Sequence, residues 1–313
     1  EQLAGLDSDD LDSRLSMQRQ ATGASGLVPE ESDNTSVGFV ITPQAAALEG
    51  LTITADYWTI EKENTIGLFG RNNHTVNDMV LRFANGTNNC GSFVANTAVA
   101  RSAPDEDQIA AANAVGICPF GNVEYVADNY LNLATRTIEG FDVGVYYNID
   151  TSIGDISVRY IGSFIDKFEQ TPGGEFAELK AKQDAGEIPA DIPLGGFGDL
   201  LLMDGNYDEK HSLRVSWRRG PLGASLTALR KGEFYQNSLT ASDGTRFMID
   251  SMTTMDLSFD YRFDISDYNA KLRFAVKNIA DERAPLADRY YGYFADAHQD
   301  LGRNFYADFR VSF

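Results

Sequence analysis

The side chains able to do chemistry in this sequence fall into three sets. The first is ionic: Asp142, Arg159, Arg214, Arg218, Asp256, Asp260, Arg262, Arg273, Asp308 and Arg310 stand in segments where every second residue is apolar. Charges on one face of such segments pair across neighbouring strands, and direct ligand contact is the competing reading. The second set crowds a stretch near the end, with Arg289, Tyr290, Tyr291, Tyr293, Phe294, His298 and Arg303. Ring faces beside Arg and His can hold a sugar ring or a catecholate-type iron chelate, but the same residues suit an interfacial girdle or the packing of a loop. Trp58 carries a similar choice, because its parity with Thr54 and Asp56 turns it to the polar side, whereas an interfacial anchor needs only its amphipathic ring. The third set is Cys90 and Cys118, in a segment rich in Asn, Gly, Ser and Ala. One loop disulfide is the natural reading, since two cysteines with His74, His211 and His298 scattered elsewhere do not make a metal site.

No Ser-His-Asp set, paired carboxylates or phosphate-cradling loop emerges, so neither bond chemistry nor a cofactor is expected. The formal net charge of −20 and a pI near 4.4 repel phosphate backbones and argue against nucleic acid as a partner. No window approaches the roughly 20 apolar residues of a membrane-spanning helix, and mean hydropathy is −0.28. A transmembrane β-barrel needs only about 10 alternating residues per crossing and is compatible with such averages.

Period-two alternation marks the positioning elements. Thr253, Met255, Leu257, Phe259, Tyr261 and Phe263 oppose Met252, Thr254, Asp256, Ser258, Asp260 and Arg262; after a short turn, Leu272, Phe274 and Val276 oppose Lys271, Arg273 and Lys277. Phe305 to Phe313 repeats the pattern, as do segments around 141–149, 156–160, 213–217 and 224–228, with earlier strands near 35–41 and 50–61. About nine strands result, joined by short connections near 42–50, 150–154, 219–223 and 264–269 that alternate with long ones near 64–132, 167–208, 237–248 and 280–302. Outer-membrane barrels have this asymmetry of short periplasmic turns and long external loops. A soluble β-sandwich also alternates, but its strands run about 5–6 residues and its exposed face is rarely this ionic. Three Asn-x-Thr/Ser triplets, at Asn34, Asn73 and Asn85, would suit a secreted soluble protein.

The fold expected is therefore all-β: an antiparallel transmembrane barrel of which this chain supplies about nine C-terminal strands. Residues 1–34 form an external loop segment and 35–313 the barrel portion. Barrels of this kind have even strand numbers, and the first 34 residues show no signal pattern, so the chain reads as processed or truncated. Within the long connections, residues 175–183 have helix-forming composition without a strong apolar face, and Val76, Met79, Val80 and Phe83 are spaced like one face of a helix.

Several segments resemble TonB-dependent receptors. Leu27-Val28-Pro29-Glu30-Glu31-Ser32 with Ser36-Val37-Gly38-Phe39-Val40 is similar to that family's L-x-P-E-x-S…G segment, and Leu51 to Ile60 resembles its strand ending D-Y-W-x-I. Gly140-Phe141-Asp142 with Tyr147, Val276-Lys277-Asn278-Ile279 with Asp281, the Gly302-Arg303 pair and the terminal Phe313 complete an ordered set across residues 27–313. The resemblance implies location in the cell outer membrane among its lipids. It implies active uptake of a scarce small nutrient, an iron-siderophore or an oligosaccharide, energised through the TonB-ExbB-ExbD complex. The ionic residues would then pair across strands or hold a plug domain, and Phe313 would be the signal read by the barrel assembly machinery. The family's plug, its TonB-contacting box and the first half of its barrel have no counterpart in residues 1–313. A passive porin or surface adhesin on a similar barrel is the alternative.

Overall fold

The computed structural model describes residues 18–190, 192, 194–241, 245–287 and 292–312. Nine long strands form a wall: β1 (Glu31–Ile41), β2 (Leu51–Glu63), β3 (Arg136–Thr151), β4 (Gly154–Gln170), β5 (Glu209–Arg219), β6 (Leu222–Lys231), β7 (Met252–Ile265), β8 (Tyr268–Lys277) and β9 (Asn304–Ser312). Their spatial order is their order in sequence, a pure meander, and the pairs from β4 to β9 are antiparallel. Each strand has at least 9 residues, enough for a tilted crossing of the hydrocarbon layer, which takes about 9–11. Among the described residues β1 and β9 stand at the two ends of this strand path, and the wall is not closed.

Turn chemistry explains the alternation of connections. Two residues link β3 to β4, β5 to β6 and β7 to β8. At two of these turns the first residue has positive φ, Gly220 at 53° and Ser266 at 54°, as tight hairpins require because their backbone twist must match the strands. At the other end the connections are long: 64–135, 171–208, 232–251 and 278–303.

Register then sorts the faces. Val158, Val215, Leu226, Leu257, Val276 and Phe305 lie opposite one another in a single apolar row across β4 to β9. On that face Phe259 is 55% exposed, Phe274 56% and Phe305 74%. A sandwich would bury these rings against a second sheet; a wall facing lipid leaves them uncovered by protein.

By contact the chain divides into two units. The second comprises Asn34–Ile60, Ile138–Phe168 and Leu200–Phe313, and it holds most of the wall together with a cluster of Phe234, Ile249, Ala287, Phe294 and Ala297. The first comprises residues up to Asp33, Glu61–Thr137 and Glu169–Asp199. Its core joins Phe69, Val76, Leu133, Phe176, Leu179, Ile188 and Phe197 around helices α1 (Arg71–Asn85) and α3 (Gly174–Asp184).

This first unit is where structure departs most from sequence-based expectation. The long connection 64–132, in which alternation marks no strand, contributes Val99–Arg101 and Val123–Ala127, which with Gln18–Gln20 make a three-stranded sheet, and a pair formed by Ile66–Leu68 and Tyr130–Asn132. Strands of 3 to 5 residues are too short to display a period. It also holds α2 (Glu106–Ala114), started by a capping box in which Asp105 and Gln108 satisfy each other's backbone N–H groups. Helix α3 spans the expected stretch but buries Phe176 and Leu179 almost fully, so it is a core helix although only two apolar side chains carry the contact. Helix α1 likewise forms where spacing places it. The residues it buries are Asn73, His74, Val76, Asp78 and Arg82, a mainly polar set. Asp78 accepts from Arg82 and Arg101, whose guanidinium groups lie over the Phe120 ring at 4.9 and 4.6 Å, which is how a buried carboxylate is kept satisfied. Asn73, one of the three triplet asparagines, is 1% exposed with its amide bonded to Phe69 and Gly195 carbonyls.

Candidate functional site: the ionic face of the wall

The face opposite the apolar row carries the predicted ionic residues. Asp155, Arg218, Gly223, Asp260, Arg273 and Asp308 form one row across β4 to β9, and Ser157, Ser216, Ser225, Ser258, Ala275 and Tyr306 the next. Arg218 Nη2 donates to Asp260 at 2.9 Å, although β6 lies between their strands. The residue of β6 opposite both is Gly223, and a Cβ there would sit 2.5 Å from Arg218 Nη2 and 2.8 Å from Asp260 Oδ1. The missing side chain is what lets the ion pair cross a strand.

Asp260 is shared further, with Arg262 Nε at 3.8 Å and Lys271 Nζ at 3.7 Å. Lys271 stands opposite Arg262 on one side and Arg310 on the other. Arg159 lies over the Tyr146 ring at 5.5 Å, Arg214 donates to Ser216 at 3.3 Å, and Asp256 accepts the backbone N–H of Asn278 at 2.9 Å. Asp142 stands two residues from Gly140 and Gly144 on β3, where an added Cβ would touch Trp58 and Thr54 respectively. Trp58 thus sits on this polar face, with its indole N–H buried and without an acceptor.

Lys271, Lys210, Lys231 and Lys277 share the face and belong with the predicted set. For Lys271 and Lys277 the signal was in the hairpin, where a two-residue turn at 266–267 fixes Arg262 opposite Lys271 and Asp260 opposite Arg273; Lys210 and Lys231 face each other across the β5–β6 pair. Gly223 gave no such signal, because its role exists only across three strands.

The aromatic set is divided. Arg289, Tyr290, Tyr291 and Phe313 lie outside the described residues. Phe294 is 1% and His298 2% exposed, Phe234 meets the Phe294 ring edge-on at 5.1 Å, and it stacks on His298 at 5.5 Å. Burial, with the Lys231 charge nearby, holds the His298 pKa below its ordinary value. Both residues pack the loop rather than face outward. Tyr293 bridges to Leu286, and the Arg303 N–H donates to Asp281 at 2.7 Å. That last bond accounts for the Asn278, Asp281 and Gly302-Arg303 motif: Asn278 and Asp281 adopt positive φ, and their side chains tie the end of β8 to Glu282 and to the start of β9. Cys90 and Cys118 are joined in a disulfide.

A β-wall with one lipid-type face, one ionic face and alternating connection lengths narrows the possibilities, and comparison with known families decides among them. The family described as TonB dependent receptor-like, beta-barrel, matches residues 7–279. This chain belongs to the TonB-dependent receptors. Members of the family are outer-membrane transporters rather than enzymes. The siderophore receptor PirA from Acinetobacter baumannii shares the fold with a TM-score of 0.52 at 15% identity, over 92% of this chain and 32% of PirA. The ferric enterobactin receptor PfeA from Pseudomonas aeruginosa, in its Q482A form with enterobactin, superposes with a TM-score of 0.52 at 15% identity, over 93% of this chain and 32% of PfeA. This receptor chain thus spans about a third of the length of those structures. No curated protein sequence matched.

Proposed function

We propose that the complete receptor imports an anionic iron chelate across the outer membrane. The supporting observation is a reversal of charge. On the ionic face of β4 to β9 stand ten cations (Arg159, Lys210, Arg214, Arg218, Lys231, Arg262, Lys271, Arg273, Lys277, Arg310) and five carboxylates (Asp155, Asp256, Asp260, Asp264, Asp308), a balance of +5. The whole chain carries −20. A cationic wall in an acidic protein focuses anions into the barrel, and siderophore complexes with catecholate or carboxylate ligands are anions of that kind. PirA is described as a siderophore receptor and PfeA as a ferric enterobactin receptor.

In this reading the long connections and the segment preceding β1 lie outside the cell and the two-residue turns face the periplasm. Parts of the receptor beyond this chain contact TonB with ExbB and ExbD. The barrel assembly machinery reads the terminal Phe313. The test is growth of a deletion strain on single iron chelates and single sugars: a defect confined to one or more anionic chelates is expected, and equal growth of deletion and wild type on every chelate sinks the proposal.

A further inference from the structure

The ionic face is not uniform along the strands. Toward the two-residue turns it sinks into a recess of ≈ 430 Å³, within the roughly 300–1,000 Å³ usual for small-molecule sites. Five cations line it, Arg214, Arg218, Arg262, Lys271 and Arg273, against the carboxylates Asp150, Asp155 and Asp260. Asp260 alone is shared by Arg218, Arg262 and Lys271. Two donors go without an acceptor although their atoms are buried: Arg218 Nη1 and Arg273 Nε. A guanidinium N–H withdrawn from water and left unpaired is costly, and an incoming oxyanion is the partner that relieves it. Neighbouring Ser157, Ser216 and Ser225 hydroxyls and the Asn148 amide add neutral donors of the type that orient carboxylates.

We propose that this recess is an anion-binding station on the exit side of the lumen, taking a compact polycarboxylate or the carboxylate arm of a larger chelate just before release to the periplasm. The assignment of side rests on the outer-membrane reading above. The ion pair across Gly223 commits Arg218 Nη2 and leaves Nη1 to the anion, so the residues that can be changed without breaking that pair are Arg262 and Lys271, whose charges exceed what Asp260 neutralises.

The experiment titrates citrate, and separately its neutral triamide, into the purified full-length receptor in detergent, by calorimetry. Wild type should bind citrate with a 1:1 stoichiometry and ignore the triamide. Arg262→Gln combined with Lys271→Gln should weaken citrate at least tenfold, with the Arg218–Asp260 pair and the thermal unfolding midpoint preserved; Arg159→Gln serves as the control on the same face. Citrate binding of equal strength in the double variant, or none in wild type at millimolar concentration, overturns the station. So does citrate binding that appears only after the upstream domain is deleted, because an acidic side chain of that domain would then be the occupant. Whole-cell uptake is measured beside it: a receptor that imports no chelate but binds citrate as described removes the uptake proposal and leaves the recess standing.

Discussion

A glycine in the middle of a strand ordinarily weakens it, since it offers no side chain to pack and costs backbone entropy. Gly223 reverses that account. Its neighbours on either side, Arg218 and Asp260, are 31% and 11% exposed at their side chains and meet directly above it. Gly223→Val places methyl groups where the guanidinium lies, so the Arg218–Asp260 pair must separate and leave Asp260 to more distant cations. The expected loss is about 1–3 kcal/mol, the usual cost of overpacking, read as a lowered midpoint of urea unfolding. In an Arg218→Ala, Asp260→Ala background the same substitution should cost far less, and equal costs in both backgrounds would show that Gly223 serves the backbone alone. The individual charges were visible in the sequence through alternation. Their pairing was not, because Arg218 and Asp260 are 42 positions apart and meet only once three strands are in register.

At the scale of elements, the long connections differ in how they are held. The Cys90–Cys118 bridge closes a sequence separation of 28, which in the chain-entropy account is worth about 3–4 kcal/mol. Cys90→Ser with Cys118→Ser should therefore speed limited proteolysis between residues 86 and 118 while leaving the wall strands protected from hydrogen exchange. The last connection depends instead on charge. Asp300 accepts from Arg283 and from the Ala284 N–H, and these bonds lower its pKa from the ordinary 3.8 to about 2. A carboxylate lowered in the folded state stabilises fully above its unfolded value and loses that contribution as pH falls toward the folded one. Amide exchange around Arg283 and Asp300 should accelerate between pH about 4 and about 2, and Asp300→Asn should show fast exchange at neutral pH with no further step. None of these tethers is written in periodicity. The wall was legible because its strands repeat one alternation for 9 to 17 residues; in the first unit α1 and α3 were legible by spacing and composition, but its strands of 3 to 5 residues carry too few repeats.

For the molecule as a whole, what separates a membrane wall from a soluble sheet is which face pays for polarity. Phe259 and Ser258 are adjacent in β7 and point to opposite faces, Phe259 in the apolar row shared with Phe274 and Ser258 bonded to Ser225 across the lumen side. If lipid covers the Phe259 face, Phe259→Arg places a charge near the middle of a crossing strand and costs about 2–4 kcal/mol, while Ser258→Arg joins a face already crowded with charge and costs about 1 kcal/mol or less. If water covered it, a ring that is 55% exposed would be replaced by arginine at almost no cost, because exposed substitutions of this kind fall within about 0.5 kcal/mol. The measurement is urea unfolding of the full-length receptor in lipid vesicles for the two variants. A cost for Phe259→Arg that exceeds that of Ser258→Arg by about 1 kcal/mol or more places the apolar row in the bilayer and the ionic row in the lumen. Equal costs would remove the lumen, and with it the electrostatic argument for an anionic cargo.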